Sequence, residues 1–270
     1  MDGSRPVEAI ATARRIVVKL GSSSLTRSDG GLDLNRLDRV AALVASRCNR
    51  GGQVVIVSSG AVAAGMTPLR YARRPRDLAA VQACAAMGQG LLVARWSAAF
   101  QAHHKLVAQI LLTGDDVMRR SHYKNAKASF EKLLSLGVVP IVNENDAVAT
   151  GEIRFGDNDR LAALVAQLVD ADLLVLATDV DGLYDKPPSL EGAKRIKTVR
   201  SASDVAGVRA SGAGKEIGTG GMVTKLHAAT MATSSGIDTL LLAADDLSQG
   251  LAGADVGTWF KGCGKRRPSR

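Results

Sequence analysis

Two glycine-containing stretches far apart in the chain each carry a lysine in a setting that suits phosphate chemistry. The sequence VVKLGSSSLT, at 17–26, follows a β-branched run, so we expect Lys19 at the carboxyl end of a strand, beside Gly21 and three serines. Amides and hydroxyls in such a loop bind phosphate groups. The sequence GTGGMVTK, at 218–225, has glycines before an apparent helix and ends on Lys225. Together they predict two lysines on opposite sides of one phosphoryl group, although each alone is also typical of a solvated lysine or a surface loop.

Neither stretch is one of the common nucleotide-binding motifs. No glycine followed by Lys-Ser or Lys-Thr stands at the Walker A spacing, and no segment matches the dinucleotide fingerprint GxGxxG. A P-loop and a typical dinucleotide site are therefore excluded, and function has to be inferred from how several polar segments combine.

Length and composition predict one large α/β domain. The chain has 270 residues and is 46% apolar, which is enough for a single core. Residues 1–13 lack the basic start and apolar centre of a secretory signal, and no apolar run approaches the roughly 20 residues of a membrane helix. We expect a cytoplasmic protein without membrane segments. The three cysteines are too widely separated for a metal-ligand cluster, and their odd number argues against a disulfide framework.

The formal net charge of +9 is concentrated in two short segments. Residues 261–270 contain five basic residues and no acid, and residues 70–76 contain four and no acid. The rest of the chain is balanced, and an aromatic content of 3% leaves few side chains to stack on bases. We interpret these segments as a solvated tail and a solvated loop, so nucleic acid is not an expected partner.

Short β-branched apolar segments alternate with longer segments of helical periodicity. The predicted strands are Arg15–Leu20, Gln53–Ser58, Lys105–Leu111, Val138–Val142, Asp172–Ala177 and Thr239–Ala243. The predicted helices are Asn35–Asn49, Asp77–Gln101, Tyr123–Ser135, Asp159–Val169 and Met222–Ser234. We interpret 187–215 as irregular cover with one short helix. The alternation predicts right-handed crossovers and an α/β fold, a three-layer αβα sandwich with a mainly parallel open sheet.

Polar residues follow the predicted strands where an open parallel sheet binds its ligands, outside the carboxyl ends. The polar segments are 19–23, 58–61, 143–146, 155–159 and 178–179. We expect all of them to face one crevice, with Ala147–Phe155 as a hairpin or lip over it. Taken singly, Asp159 is also typical of a helix N-terminal carboxylate, and 143–146 of a turn.

Several longer strings match one family in order and spacing. They are KLGSS, SSGAVAAG, PIVNENDAVAT, FGDNDRLAALVA, TDVDGLYDKPP and GTGGMVTKLHAA. Through them the chain closely resembles the glutamate 5-kinases of the amino acid kinase family, and two of the strings distinguish this group from the aspartate, acetylglutamate, carbamate and uridylate kinases. The resemblance implies an amino acid kinase domain at 14–260, a flexible segment at 1–13 and a basic tail at 261–270. Many bacterial members continue into an RNA-binding-type PUA domain, and this chain stops where that domain would begin.

The resemblance implies an activity: transfer of the γ-phosphoryl group of ATP, with Mg²⁺, to the side-chain carboxylate of L-glutamate. The product would be L-glutamyl 5-phosphate, in the first step of proline synthesis. A carboxylate is already a nucleophile at neutral pH, so such a site needs positioning and charge neutralisation rather than a catalytic His or Cys. The resemblance also implies proline as a feedback inhibitor, a homodimer or homotetramer, and glutamyl phosphate reductase as a partner.

Matching positions imply three groups of site residues. The catalytic residues would be Lys19, Lys225 and Asp159, with Asp159 orienting both lysines. The substrate-binding residues would be Ser59, Asp146, Asn158, Asn143 and Asp157. Asp146 would accept from the substrate ammonium, whereas Ser59 and Asn158 would donate to carboxylate oxygens. The ATP-binding residues would be Lys19, Gly21, Ser22, Thr178, Asp179, Thr219, Gly220, Gly221, Met222, Val223, Thr224 and Lys225. No residue is assigned as a metal ligand.

Two other functions fit the same residues. One is a related kinase that acts on acetylglutamate or aspartate, although an acetylated amine would leave the Asp146 carboxylate unpaired. The other is a catalytically silent sensor of proline or nucleotide, because an intact site does not by itself demonstrate turnover.

Overall fold

The computed structural model describes residues 6–27, 31–148, 158–186, 188–205 and 221–264, and in these ranges helices cover both faces of an eight-stranded sheet. The helices are α1 (Pro6–Thr12), α2 (Leu34–Asn49), α3 (Ala61–Met66), α4 (Leu78–Gln101), α5 (Gly114–Met118), α6 (Arg120–Ser135), α7 (Asn158–Leu168), α8 (Met222–Ser234) and α9 (Leu247–Leu251). The strands are β1 (Arg15–Leu20), β2 (Gln53–Ser58), β3 (Val107–Leu112), β4 (Val139–Glu144), β5 (Leu173–Thr178), β6 (Leu183–Tyr184), β7 (Arg195–Ile196), β8 (Thr198–Val199), β9 (Asp238–Ala243) and β10 (Thr258–Phe260).

The main sheet has the strand order β3-β4-β2-β1-β5-β9-β10-β8. Its neighbouring strands are parallel except for the antiparallel pair of β9 and β10, and β6 and β7 form a separate antiparallel pair. The predicted class, a three-layer αβα sandwich with a mainly parallel open sheet, is confirmed. β1 lies between β2 and β5. Because the chain continues to β2 on one side and adds β5 on the other, ligands are expected at the carboxyl end of β1.

Side chains of β1 alternate between the two faces of the sheet. Ile16, Val18 and Leu20 pack into the apolar core formed with α2 and α4. Val17 packs into the second core, formed with α6, α7 and α8. Because successive residues of a strand point to opposite faces, Lys19 lies on the α7 face. This alternation directs a lysine toward the beginning of α7.

Helix α4 is long and apolar enough to cross a membrane, judged by length and composition alone. Its buried residues pack against the sheet and α3, and they include Trp96 and Phe100, whose rings lie 6.0 Å apart. Asp77 begins the helix by accepting a hydrogen bond from the backbone N–H of Ala80. Part of the apolar character of α4 therefore belongs to the core, whereas Leu78, Met87 and Leu91 of the same helix are exposed.

The N-terminal segment differs from the prediction of a flexible stretch at 1–13. Residues Pro6–Thr12 form α1, and Ile10, 2% exposed, packs into the core beside α2. Arg47 of α2 donates to the carbonyl oxygens of Ile10 and Ala13. Burial and these hydrogen bonds anchor the end of α1 near Ile10 and Ala13, whereas residues 1–5 lie outside the described residues.

Other differences are local. α3 and α5 were not predicted, since each is too short to show a helical period. In the stretch interpreted as irregular cover, the structure has β7, β8 and one turn of 3-10 helix at Ala202–Val205. Most of the predicted lip at Ala147–Phe155, the remainder of 187–215 beyond Val205, and most of the basic tail lie outside the described residues.

Candidate active site

Asp159 joins the two lysines that the sequence analysis singled out. Its Oδ1 lies 2.6 Å from Nζ of Lys19, and its Oδ2 lies 3.3 Å from Nζ of Lys225. Thr224 donates its hydroxyl to Asp159 Oδ2 at 2.8 Å. The two lysines and the aspartate are all buried. Residues from distant parts of the chain thus form one compact cluster with two ammonium groups and one carboxylate.

Three elements converge to build this cluster. Lys19 is near the end of β1, Asp159 is in the first turn of α7, and Lys225 is in the first turn of α8. Helices α7 and α8 are in close contact, and small side chains on both suit this packing. Ala162 and Ala166 of α7 and Ala229 of α8 are fully buried in the core. The packing of small side chains thus brings both helix beginnings to the carboxyl end of β1.

The environment of Asp159 keeps its carboxylate ionised. Burial alone would raise its pKa, but the charges of Lys19 and Lys225, with hydrogen bonds from Lys19 and Thr224, outweigh burial and lower the pKa below its ordinary value. Two ammonium groups beside one carboxylate form a setting that suits an anionic ligand.

The loop after β1 is a compact turn beside Lys19. The amides of Ser24 and Leu25 donate back to the carbonyl oxygens of Gly21 and Ser22, and the Gly21 amide donates to Ala177. Within the described residues, no hydrogen bond uses the amides of Ser22 or Ser23, and both residues are exposed. A β-carbon on Gly21 would lie 3.6 Å from Nζ of Lys19. The part of the turn that can bind a phosphate is therefore its exposed tip.

A cavity of about 210 Å³ lies next to the lysine cluster. Four of the five predicted substrate-binding residues line it: Ser59, Asn143, Asp146 and Asn158. Ser22 lines it as well. The structure thus brings the predicted substrate residues into one cavity that reaches the predicted phosphate loop. Asp157 lies outside the described residues.

Asn158 is the centre of the polar network in this cavity. Its Nδ2 donates to Ser59 Oγ at 2.7 Å and to Asn143 Oδ1 at 2.9 Å. Both amide protons are therefore used within the protein. Donation from Asn158 to a substrate carboxylate stays a prediction, and it would require one of these hydrogen bonds to be exchanged. The atom left for a ligand is Oδ1. That oxygen is buried and has no hydrogen-bond partner among the described residues. Ser59 keeps its own proton, since its oxygen is the acceptor.

The carboxyl group of Asp146 has a raised pKa. Burial, together with the nearby charge of Glu144, raises its pKa to about 7, although the charge of Arg74 opposes both. Asp146 is 8% exposed. An ammonium group bound in the cavity would stabilise its ionised form.

The predicted nucleotide-binding residues occupy two positions around the lysine cluster. Thr178 ends β5, adjacent to the β1 loop, and donates its hydroxyl to Asp179 at 2.8 Å. On the other side, Gly221 precedes α8, and Met222, Val223 and Thr224 form its first turn. Thr219 and Gly220 lie outside the described residues.

Sequence reasoning missed two contributors to the cavity. Arg74, assigned to a solvated loop, lines it, and so does α3, through Ala61, Val62 and Met66. The sequence signal was present: the acid-free arginine run at 70–76 is separated by only four residues from the string SSGAVAAG at 58–65. Charge counting could not show that one of these arginines faces a cavity.

Adjacent residues of α7 connect the cavity with the lysine cluster. Asn158 faces the cavity, and Asp159 binds the lysines. A small molecule held by Asn158 and Asp146 would thus have one end within reach of the ammonium groups. The arrangement suits charge neutralisation between two anionic reactants.

Comparisons with known proteins agree with this geometry. The model of the amino acid kinase family matches residues 14–242. The glutamate 5-kinase of Streptomyces coelicolor is 55% identical over 271 residues, which cover 100% of this chain and 72% of that protein. The glutamate 5-kinase of Thermobifida fusca is 56% identical over 96% of this chain and 67% of its own length.

Solved structures with lower identity share the fold. Carbamate kinase from Giardia lamblia bound to AMP-PNP matches with a TM-score of 0.66 at 16% identity, over 93% of this chain and 99% of that one. UMP kinase from Bacillus anthracis matches with a TM-score of 0.63 at 17% identity, over 93% of this chain and 97% of that one. At such identities the likeness concerns the architecture alone.

Proposed function

The chain belongs to the amino acid kinase family and, within it, to the glutamate 5-kinases, and from this premise we propose that its site phosphorylates the side-chain carboxylate of L-glutamate. ATP is the phosphoryl donor, and L-glutamyl 5-phosphate is the product, as in the first step of proline synthesis. The observation that carries the proposal is the direct adjacency of the Asn158 cavity and the Asp159 lysine cluster.

The charges of the site match the requirements of the reaction. A glutamate carboxylate and a nucleotide phosphate repel each other, and this repulsion is strong in a cleft that excludes water. Lys19 would neutralise the transferring phosphoryl group, and Lys225 would stabilise the charge that builds on the leaving phosphate. Asp159, ionised and hydrogen-bonded, would hold both ammonium groups in place. No general base is required, because the nucleophile is already a carboxylate.

Binding of glutamate would use both ends of the cavity. Asp146 and the unpaired Oδ1 of Asn158 are acceptors that suit the substrate ammonium, while the Ser59 hydroxyl suits a carboxylate oxygen. Asn143 fixes the Asn158 amide through its Oδ1. An acetylated amine would lose its charge and its pairing with Asp146, which favours glutamate over acetylglutamate.

Magnesium is expected to accompany the nucleotide. Mg²⁺ prefers hard oxygen ligands and is usually bound through substrate phosphates with several waters. The exposed carboxylate of Asp179 and the exposed Ser22 and Ser23 hydroxyls are donors of this kind near the phosphate loop. The ion would supply further neutralisation of phosphate charge.

The proposal includes four features that rest on the resemblance: cytoplasmic location, assembly into at least a dimer, inhibition by proline, and transfer of the product to glutamyl phosphate reductase. Proline carries an amine and a carboxylate on one carbon, as glutamate does. It would therefore compete for Asp146 and the surrounding acceptors. The nucleotide would lie between Thr178 and Asp179 on one side and the segment from Thr219 to Lys225 on the other.

The test is a hydroxylamine-trapping assay with magnesium ATP and, in separate wells, L-glutamate, L-aspartate and N-acetyl-L-glutamate. Hydroxylamine converts an acyl phosphate into a stable hydroxamate, so product formation with glutamate alone is expected. A preference for aspartate or acetylglutamate would replace this function by that of a related kinase. Binding of ATP and glutamate without hydroxamate would instead indicate a silent sensor.

A further inference from the structure

Among the described residues that line the cavity, one is a cation and one is an acid. They are Arg74 and Asp146. Arg74 belongs to the segment between α3 and α4, and its side chain is exposed at the cavity mouth. Within the described residues it forms no ion pair shorter than 4.0 Å.

The proposed substrate has three charges that need partners. The side-chain carboxylate must lie toward Lys19 to react, and Asp146 suits the ammonium. The α-carboxylate remains, and it must lie beside the ammonium, because both groups are bonded to the same carbon. Among the described residues that line the cavity, the cation that can pair with it is Arg74. Groups that bind the ammonium and the α-carboxylate must therefore lie close together. Asp146 and Arg74 line the same cavity, and the charge of Arg74 acts on the Asp146 carboxylate.

We propose that Arg74 determines substrate specificity by binding the α-carboxylate of glutamate with its guanidinium group. This inference rests on the proposed function and extends it to a named residue. A guanidinium binds a carboxylate with two parallel hydrogen bonds, which a lysine does not reproduce. The charge of Arg74 lowers the pKa of Asp146, whereas the charge of Glu144 raises it. The effect of Arg74 agrees with a guanidinium group near the Asp146 carboxylate.

The neighbouring arginine provides a matched control. Arg73 is exposed and belongs to the same segment, but it does not line the cavity. Arg73→Ala therefore removes the same charge from the same loop without touching the proposed contact. Because Arg74 is exposed as well, Arg74→Ala should fold, which thermal unfolding would check.

The experiment compares L-glutamate with its α-amide, in which the α-carboxylate is replaced by an uncharged group. Hydroxamate kinetics are measured for the full chain, Arg74→Ala, Arg74→Lys and Arg73→Ala. The α-amide is measured both as a substrate and as a competitive inhibitor, so that a constant is obtained even without turnover. Arg74→Ala should lower kcat/KM for glutamate by about 10- to 100-fold, mainly through KM, as expected for a charge-assisted hydrogen bond.

The α-amide separates this role from an indirect one. If Arg74 binds the α-carboxylate, Arg74→Ala should leave the constant for the α-amide unchanged, Arg74→Lys should recover part of the glutamate activity, and Arg73→Ala should behave as the unmodified chain. Equal losses for glutamate and the α-amide would overturn the inference, because Arg74 would then act through Asp146 or the loop. An unchanged KM for glutamate in Arg74→Ala would overturn it as well.

The two proposals fail in different ways. An unmodified chain that forms no hydroxamate with glutamate would overturn the proposed function and, with it, the role of Arg74. An active chain whose Arg74→Ala variant matches it would leave the function standing and remove only the role of Arg74.

Discussion

Lys19 and Asp159 form a buried ion pair of 2.6 Å between the end of β1 and the beginning of α7. Lys225 approaches the other carboxylate oxygen at 3.3 Å, so one acid contacts two ammonium groups. We therefore expect the ion pair to contribute both to the stability of the fold and to the proposed reaction. The two contributions can be measured separately.

We predict that Asp159→Asn destabilises the protein by about 3–5 kcal/mol, because it removes an ionised carboxylate that two buried ammonium groups contact. Chemical unfolding of the two proteins measures the difference. The matched control is Asp170→Asn, since Asp170 forms an exposed 2.6 Å ion pair with Lys127. Asp170 has a φ of 49°, which asparagine tolerates, so this control should change stability by less than about 1 kcal/mol. Similar losses in both variants would contradict the prediction.

Removal of either lysine should slow the reaction more than it weakens glutamate binding. Lys19→Ala and Lys225→Ala remove charge at the point where transition-state charge develops, so kcat should fall by roughly 10²- to 10³-fold with a smaller change in the KM for glutamate. Steady-state hydroxamate kinetics measure both constants. Asp146→Ala should show the reverse pattern, a raised KM and a smaller change in kcat. The assignment of roles fails if all three variants change both constants alike.

Activity should depend on pH through Asp146. Its pKa is raised to about 7, so kcat/KM for glutamate should rise with pH up to about that value, as the carboxylate that pairs with the ammonium becomes ionised. In the complex the ammonium should lower this pKa, and kcat at saturating glutamate should depend less on pH. Asp146→Asn should remove the dependence and lower kcat/KM above about pH 7, where Asp146 of the unmodified protein is ionised. A flat profile in the unmodified enzyme would be incompatible with this role.

The same shift has a consequence for stability. Asp146 has a folded pKa near 7 against an ordinary value of 3.8. Between these values the folded protein retains a proton that the unfolded chain releases. Its contribution to stability therefore falls as pH rises through this range. The difference in unfolding free energy between the protein and Asp146→Asn, measured across these pH values, should carry this slope.

Local sequence patterns predicted the elements that hold the site. The apolar runs of β1 and β2 have the predicted bounds, because buried parallel strands need continuous apolar segments. The parallel arrangement then predicts polar residues at one edge of the sheet, and the structure brings Ser59, Asn143 and Asp146 together there.

Non-local packing decided what the sequence could not show. The donor and acceptor roles of Asn158 depend on which neighbours occupy its amide, and Ser59 and Asn143 do so only in the folded chain. Likewise, whether an arginine of 70–76 is solvated or faces a cavity depends on the path from α3 to α4. That path follows from how these two helices pack.

Gly65 of α3 and Gly88 of α4 allow the two helices to pack at very short range. This contact supports the cavity wall. A β-carbon on Gly88 would lie 1.7 Å from the Ala61 carbonyl oxygen, so Gly88→Ala must push the helices apart. We predict destabilisation of at least about 1–3 kcal/mol from overpacking, with a raised KM for glutamate because α3 lines the cavity. Thermal unfolding and glutamate kinetics measure the two effects.

Gly90 is the control on the same helix. A β-carbon there meets nothing within 4 Å, so Gly90→Ala should stabilise α4 by roughly 0.5–1 kcal/mol through its helix propensity and leave the KM for glutamate unchanged. Changes of opposite sign in the free energy of unfolding would show that position 88 requires glycine because of its contact with α3, not because of helix propensity. If Gly88→Ala were as stable and as active as Gly90→Ala, α3 would not be held in place by this contact, and its part in shaping the substrate cavity would have to come from the sheet alone.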